Sequence, residues 1–225
     1  MSKASPAEAR DLARQSTDCS FLLTHMVRQN GEHPKSDREA RAVLLSILGL
    51  APRGPASLRG GTVGWYSSAA ANVFDPASGA FQPAQQCRAV CFTESTLAGL
   101  RAHRAVFKVN YGVAFDRDWL YGRGANPCLN IRSELLKGKL GLRAGEKYPR
   151  RVFNFIPPSL HPFVNIINDA FDATHEREWR YAGDLAFARR DVLFVFCPER
   201  DFPTFAAAQD KGRPALFDLA WLDRV

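Results

Sequence analysis

The sequence predicts an α+β protein with a mixed, mostly antiparallel sheet and surrounding helices. Short apolar runs rich in β-branched and aromatic residues, such as residues 192–197, are typical of buried strands. Segments with apolar residues at helical spacing, such as residues 40–48, lie between these runs. Strands and helices do not alternate in the regular rhythm that a parallel sheet requires, so we expect mostly antiparallel pairing.

The length and composition favour one domain over residues 1–225. The chain has 225 residues, of which 46% are hydrophobic and 24% charged, as is ordinary for a globular protein. No linker-like segment or repeat divides it. We expect an N-terminal helix at about residues 6–15, a core at about 20–200 and a C-terminal extension at about 200–225.

Capping and turn residues define the elements of the first half. Ser5-Pro6-Ala7-Glu8 predicts the start of the N-terminal helix, and Ser36 with Glu39 forms a capping box for a second helix. Gly49 and Pro52 should end that second helix. The residues between and after these helices are expected to form a strand at 21–26 and loops at 52–64 and 75–86.

Apolar strand patterns define the second half. We expect strands at residues 88–93, 111–116, 128–131, 178–181 and 192–197. Helices are expected at about 95–103 and, behind a proline cap, at 159–171. Asp116 also fits the N-cap of a helix that would follow its strand.

Charge and cysteine content limit the partners and the compartment. The net charge of +7 attracts phosphates, so nucleic acids or nucleotides are plausible partners, although scattered arginines also serve solubility alone. The five cysteines form no CxxC pair, and no signal peptide or membrane span is evident. We therefore expect a cytoplasmic protein with no disulfide framework and no membrane partner.

The densest group of ionisable residues is His175-Glu176-Arg177-Glu178-Trp179-Arg180. Because side chains alternate along a strand, Glu176, Glu178 and Arg180 should share one face. Two carboxylates beside an arginine could bind a polar ligand and stabilise a cation. The alternative is a solvated sheet edge with ion pairs, which contribute little to stability.

Three weaker candidates lie at strand ends or within strands. His25 follows Thr24 at the end of the first strand, Thr93 lies near the end of the 88–93 strand, and Tyr111 begins the next strand. Each residue is also compatible with an ordinary structural role.

Several other chemistries lack their motifs. The sequence has no Walker loop and no GxGxxG after a strand, and no two histidines have zinc-hydrolase spacing. We therefore expect no metal. A cysteine–histidine thiol enzyme stays open, although no cysteine has a flanking cation that would clearly lower its pKa.

Taken together, the motifs resemble those of the abortive-infection AbiGi-type family of bacterial proteins associated with phage resistance. The resemblance covers roughly residues 20–182. It rests on Thr24-His25, on the Leu44-Leu45-Ser46-Ile47-Leu48 helix, on Phe92-Thr93-Glu94 and, most specifically, on the Glu176-to-Arg180 string.

The order of these motifs is also similar to that of ADP-ribosyltransferases, among them DarT-type enzymes and RNA 2′-phosphotransferases. This resemblance implies a split sheet and a substrate, NAD, whose ADP-ribose is transferred to nucleic acid or protein. It implies that Glu178 stabilises the oxocarbenium-like cation, His25 orients the ribose, Thr93 positions the nicotinamide side and Glu176 acts as general base. Tyr111 and either Arg177 or Arg180 would contact the cofactor.

Two alternatives remain beside NAD-dependent transfer. One is a non-catalytic nucleic-acid- or protein-binding module, comparable to an antitoxin. The other is a metal-independent ribonuclease or phosphotransferase that uses His25, His175 and Arg180. The transferase reading makes a geometric prediction, namely that His25, Thr93 and Glu178 line one pocket.

Overall fold

The computed structural model describes residues 20–29, 36–63, 72–75, 78–83, 87–132, 157–167 and 177–224. It has the predicted α+β class, with a mixed and mostly antiparallel sheet and a few helices. The expected N-terminal helix at about 6–15 lies outside the described residues, as do His175 and Glu176.

The regular elements are short and follow one another closely. The strands are β1 (Leu22–Val27), β2 (Ala56–Leu58), β3 (Gly61–Thr62), β4 (Asn72–Asp75), β5 (Ala80–Pro83), β6 (Arg88–Glu94), β7 (Tyr111–Asp116), β8 (Asn126–Pro127), β9 (Leu129–Arg132), β10 (Val164–Ile167), β11 (Glu178–Ala182), β12 (Leu185–Phe187), β13 (Val192–Phe196) and β14 (Ala215–Phe217). The α-helices are α1 (Asp37–Ile47), α2 (Leu97–Phe107), α3 (Arg117–Gly122) and α4 (Phe202–Phe205). Single 3₁₀ turns or short 3₁₀ helices occupy Pro158–Phe163, Arg189–Asp191, Glu199–Asp201, Ala206–Ala208 and Leu219–Arg224.

The chain forms two compact units that are interleaved in the sequence. Unit 1 takes its described residues from Met1–Leu58, Phe92–Arg123 and Ala186–Val225. Unit 2 takes its described residues from Arg59–Cys91 and Gly124–Leu185. The prediction of one domain over the whole chain stays a prediction.

Unit 1 is built on strands in the order β14-β13-β7-β1, followed by the last residues of β6. β1 pairs antiparallel with β7 along its whole length, from Leu22 opposite Asp116 to Val27 opposite Tyr111. β13 continues the sheet antiparallel to β7, and β14 adds a parallel edge. The predicted C-terminal extension is therefore part of this sheet.

Successive residues of β1 point to opposite sides of the sheet, so the unit 1 sheet presents apolar side chains on both faces. Each face is covered by other residues of unit 1. One face packs with α2 and the C-terminal 3₁₀ turns in a cluster of buried residues: Leu22, Leu100, Ala114, Phe196, Leu219 and Leu222. On the other face, the Phe115 ring stacks on Trp119 at 5.5 Å between ring centroids. Phe92 and Phe187 meet the Phe115 ring edge-on.

The start of α1 confirms the predicted capping box. The Ser36 hydroxyl accepts from the Glu39 amide at 3.2 Å, and the Glu39 carboxylate accepts from the Ser36 amide at 3.1 Å. Gly49 follows the helix with a φ of 62°, a backbone conformation that favours glycine. The helix therefore begins and ends where its sequence signals predict.

Unit 2 contains several short pairings. β8 pairs antiparallel with β11, which neighbours the first residues of β6, and β3 pairs with β6. β9 and β10 pair in parallel, while β4 and β5 form an antiparallel hairpin. The Gly60 amide donates to the Asp184 carboxylate at 2.8 Å, and Arg88 donates to the Gly60 carbonyl at 2.9 Å.

Two secondary-structure predictions are wrong in part. The helix expected over 159–171 is a 3₁₀ helix at Pro158–Phe163 followed by β10, with residues 168–171 outside the described ones. Pro162 cannot donate the backbone bond of an α-helix, and β-branched Val164 and Ile167 favour a strand. The segments 52–64 and 75–86, which were expected to be loops, contain the short strands β2, β3 and β5. The many glycines and prolines of these segments had favoured the loop prediction.

No helix within the described residues is long and apolar enough to cross a membrane.

Candidate functional site

A buried ion pair on β11 is the centre of the candidate site in unit 2. The Arg180 guanidinium donates through Nε to one oxygen of Glu178 at 2.8 Å and through a terminal nitrogen to the other at 3.0 Å. The side chains are 7% and 11% exposed, respectively. This contact confirms that Glu178 and Arg180 share a face, as strand alternation predicts. The Glu178 side chain is largely buried.

The guanidinium of Arg180 is held from the other side by backbone carbonyls. One terminal nitrogen donates to the Pro162 carbonyl at 3.1 Å and to the Val164 carbonyl at 2.9 Å. Four of the five N–H donors of the side chain are thus engaged within unit 2. Arg180 is therefore built as a support for Glu178, and it has little capacity left for a phosphate.

The pair lies beside two thiols, Cys91 and Cys128. Crowding of protein atoms and, second, the Glu178 carboxylate raise the pKa of the Cys91 thiol to about 12, although Cys91 keeps exposed surface. Burial raises the pKa of the Cys128 thiol to about 12 as well, against the opposing effect of Arg180. Both thiols stay protonated near neutral pH, so neither has the thiolate character of a catalytic nucleophile.

The residues flanking the ion pair differ in their surroundings. Arg177 is exposed and has a φ of 45°, which places it in the left-handed region just before β11. Trp179 is half-buried. Glu176, the predicted general base, lies outside the described residues.

The strand register separates His25 from Thr93 in unit 1. Thr93 lies opposite Thr24 in the antiparallel pair of β1 and β6, so these two side chains share a face. His25 points to the other face, where its ring contacts Phe92 edge-on at 6.0 Å between centroids. The prediction that His25 and Thr93 line one pocket is therefore wrong, because adjacent strand positions alternate.

The face of Thr24 carries a small network of hydroxyl groups. The Thr24 hydroxyl lies 3.0 Å from that of Ser95 and donates to the Thr93 carbonyl at 3.2 Å. Thr24 and Ser95 are both buried, with exposures of 1% and 2%. These contacts join two strands through polar groups that satisfy one another, which is a structural role.

Tyr111 is fully buried at the start of β7. Its hydroxyl donates to the Asp201 carboxylate at 2.6 Å, and Arg41 donates to the second oxygen of Asp201 at 3.1 Å. Burial, followed by the hydrogen bond to Asp201, raises the pKa of Tyr111 above its ordinary value. A contact between Tyr111 and a cofactor would require the ring to leave this pocket.

The sequence did not indicate the partners that complete these sites. Asp201 and the carbonyls of Pro162 and Val164 come from segments that sequence patterns place in an extension and in a helix. The sequence signal that could have indicated Asp201 is its position in the charged string Glu199-Arg200-Asp201, directly after a buried strand. Within the described part of the chain, no group of three or more potential ligands could hold a metal ion.

Comparison of the chain with protein-family models, with curated proteins and with solved structures gives no match.

Proposed function

We propose that the protein is an NAD-dependent ADP-ribosyltransferase that modifies a nucleic acid or a protein, with Glu178 as its catalytic carboxylate. The observation that supports this proposal is the bidentate contact of Glu178 with Arg180, at 2.8 and 3.0 Å. It fixes the orientation of a carboxylate on a strand. A fixed anion is what an oxocarbenium-like transition state requires.

The proposed reaction exchanges one bond at the ribose C1′ for another. The bond to nicotinamide breaks and the nicotinamide nitrogen keeps the electron pair. The acceptor nucleophile then bonds to C1′ and loses its proton to a base, which the family resemblance assigns to Glu176. Glu178 stabilises the positive charge between these events, and Arg180 acts as a positioning residue for Glu178 rather than as a phosphate contact.

In this proposal Arg177 binds the phosphates of NAD. Arg177 is exposed and immediately precedes β11. A guanidinium in this position can approach an anion without breaking the buried ion pair. This assignment places the predicted cofactor contact on Arg177 instead of Arg180.

A second candidate function is a non-catalytic module that binds nucleic acid or protein. It is favoured by the completeness of the Glu178–Arg180 pair, since the arginine shares the carboxylate charge and is itself anchored to two carbonyls. A pair satisfied in this way also fits a purely structural role.

The test is release of nicotinamide from NAD by the purified full chain. We expect the wild-type protein to release nicotinamide and Glu178→Gln to lower the rate roughly 100-fold or more, because the charge that stabilises the cation is lost. Glu199→Gln is the matched control, since Glu199 is exposed and lies in unit 1. It should behave as the wild type does.

Stability must be separated from catalysis in this experiment. Removing one partner of a buried ion pair costs about 3–5 kcal/mol, so Glu178→Gln should also lower the melting temperature. The double variant Glu178→Gln/Arg180→Met removes the uncompensated charge and should recover much of that stability. If the double variant still releases nicotinamide, Glu178 is not catalytic. If the wild type releases none, the binding module is the better description.

A further inference from the structure

Unit 1 contains a surface cavity of about 520 Å³, widely open to solvent, that the sequence did not indicate. Its lining includes Ala56, Phe187, Arg189, Arg190, Gln209 and Asp210. We refer to it as the Arg190 cavity. Its volume falls within the range of small-molecule sites, which is about 300–1,000 Å³.

The floor of the Arg190 cavity is apolar and fixed by packing. Ala56, Phe187 and Ala208 are exposed by only 5%, 9% and 2%. The Phe187 ring is held edge-on against Phe115, with 5.0 Å between centroids. These apolar residues are therefore fixed in place, and each contributes only a small surface to the cavity.

The two adjacent arginines of the cavity, Arg189 and Arg190, differ in the hydrogen bonds that their guanidinium groups make. Arg189 donates through Nε to the Leu48 carbonyl at 2.8 Å and through a terminal nitrogen to the Gly49 carbonyl at 3.1 Å. It is thus committed to the C-terminal end of α1. Arg190 is exposed, and within the described part of the chain its guanidinium has no hydrogen bond or ion pair. Arg190 is therefore available to a ligand.

Asp210 supplies the opposite charge from a rigid turn. Its amide donates to the Arg213 carbonyl at 2.7 Å, and the Arg213 amide donates back at 3.0 Å. Lys211 and Gly212 between them have φ values of 51° and 81°, as in a two-residue turn of type I′. Among the described residues, the Asp210 carboxylate has no partner, so the turn presents a free acceptor.

Arg190 and Asp210 line one cavity yet do not pair with each other. A ligand that satisfies both must carry an anionic group and a hydrogen-bond-donating edge, joined by a body that fits the apolar floor. Arg189 adds a second positive charge to the lining. The Asp191 carboxylate already accepts from the Ala188 amide at 2.8 Å. The ligand should therefore be negative overall.

We propose that the Arg190 cavity binds a nucleoside monophosphate with a guanine-type base. The phosphate pairs with the Arg190 guanidinium in a fork geometry. Guanine presents two adjacent N–H donors, a ring imino group and an amino group, which match the two oxygens of Asp210. The base lies over the floor formed by Phe187 and Ala56. This site is independent of the chemistry proposed at Glu178.

Calorimetric titration of the full chain with GMP, AMP and inorganic phosphate tests the proposal. GMP should bind more tightly than AMP, because adenine does not present the paired donors. Arg190→Met should weaken GMP binding roughly tenfold or more, as expected for loss of a charged hydrogen bond. Asp210→Asn should weaken GMP binding while leaving that of inorganic phosphate unchanged or stronger.

Arg224→Met is the matched control, since it removes the same charge from an exposed residue that does not line the cavity. It should leave GMP binding at the wild-type level. Equal affinity for GMP and AMP, no saturable GMP binding, or unchanged binding in both cavity variants would overturn the proposal. Melting temperatures should stay near that of the wild type, because the side chains of Arg190 and Asp210 are exposed and make no hydrogen bond or ion pair with any other described residue.

Discussion

At the scale of single residues, two buried polar groups in the described part of the chain, Arg180 and Asp201, belong to hydrogen-bonded sets. Arg180 meets one carboxylate and two carbonyls, and Asp201 meets Tyr111 and Arg41. Such sets matter because a buried polar atom without a partner costs about 1–3 kcal/mol. Removing one member should therefore affect stability more than the hydrogen bond itself suggests.

The Tyr111 hydroxyl should make the stability of the protein fall at high pH. The unfolded chain loses the tyrosine proton near pH 10, whereas the folded protein keeps it because its pKa is raised. The unfolded state then binds fewer protons, so stability decreases as the pH rises above about 10. In Tyr111→Phe this decrease should be shallower by about 1.4 kcal/mol per pH unit.

Urea unfolding between pH 8 and pH 11 measures this difference. The buried thiols contribute equally in both proteins, so the difference isolates Tyr111. Tyr121→Phe is the control, since Tyr121 is 61% exposed, and its pH profile should match that of the wild type. Identical profiles for Tyr111→Phe and the wild type would contradict the assignment.

At the scale of elements, sequence signals correctly predicted those helices and strands whose formation depends on residues close in sequence. The capping box of α1 and the short apolar run of β7 gave correct elements, because the deciding residues are adjacent in sequence. The 3₁₀ helix at Pro158–Phe163 and the strand β10 were missed. β10 is stabilised by its parallel partner β9, whose contribution no local pattern carries. The hydrogen bonds around Arg180 were unpredictable for the same reason.

The predicted faces of strands illustrate the same limit within the candidate site. Glu178 and Arg180 lie in one strand, so alternation alone placed them together. His25 and Thr93 lie in different strands, and their relation depends on a register in which Thr93 is opposite Thr24. A shift of one residue reverses the face, and the sequence does not encode that shift locally.

Two glycines with similar backbone conformations should respond differently to alanine. Gly49 and Gly79 have φ values of 62° and 65°. A Cβ on Gly49 would lie 2.1 Å from the Gly54 carbonyl oxygen, whereas one on Gly79 would have nothing within 4 Å. Gly79→Ala should cost only the conformational term of about 1–2 kcal/mol. Gly49→Ala should cost clearly more, because backbone must move.

Thermal and urea unfolding of the two variants provides the comparison. Equal losses in Gly49→Ala and Gly79→Ala would mean that the loop at residues 49–54 relaxes freely around the new methyl group. In that case the close approach of Gly54 is not what requires glycine at position 49.

At the scale of the whole molecule, the C-terminal residues belong to the sheet and the core of unit 1. β14 pairs with β13, while Leu219 and Leu222 pack in the cluster that contains Leu22 and Phe196. The sequence pattern suggested an extension because these elements are short. Their contribution comes from contacts with residues far away in the chain.

Leu222→Ala should lower the free energy of unfolding by about 2–5 kcal/mol, because it leaves a cavity among buried side chains. A chain that stops after Gly212 should lose the cooperative urea transition of unit 1, since it lacks both β14 and the final 3₁₀ turns. Leu129→Ala is the control for the substitution, as Leu129 is 59% exposed. A truncated chain that unfolds at the wild-type urea concentration would contradict this prediction.

The central position of β1 also has a consequence for biosynthesis. β1 leaves the ribosome before either of its neighbours, β6 and β7, has been translated. The nascent strand therefore keeps at least one hydrogen-bonding edge unpaired until β7, which ends at Asp116, has also been translated. The sheet is not complete until β13 and β14 follow. Such long-range pairing slows folding and exposes strand edges, so synthesis in cells should depend on chaperones that bind emerging apolar segments.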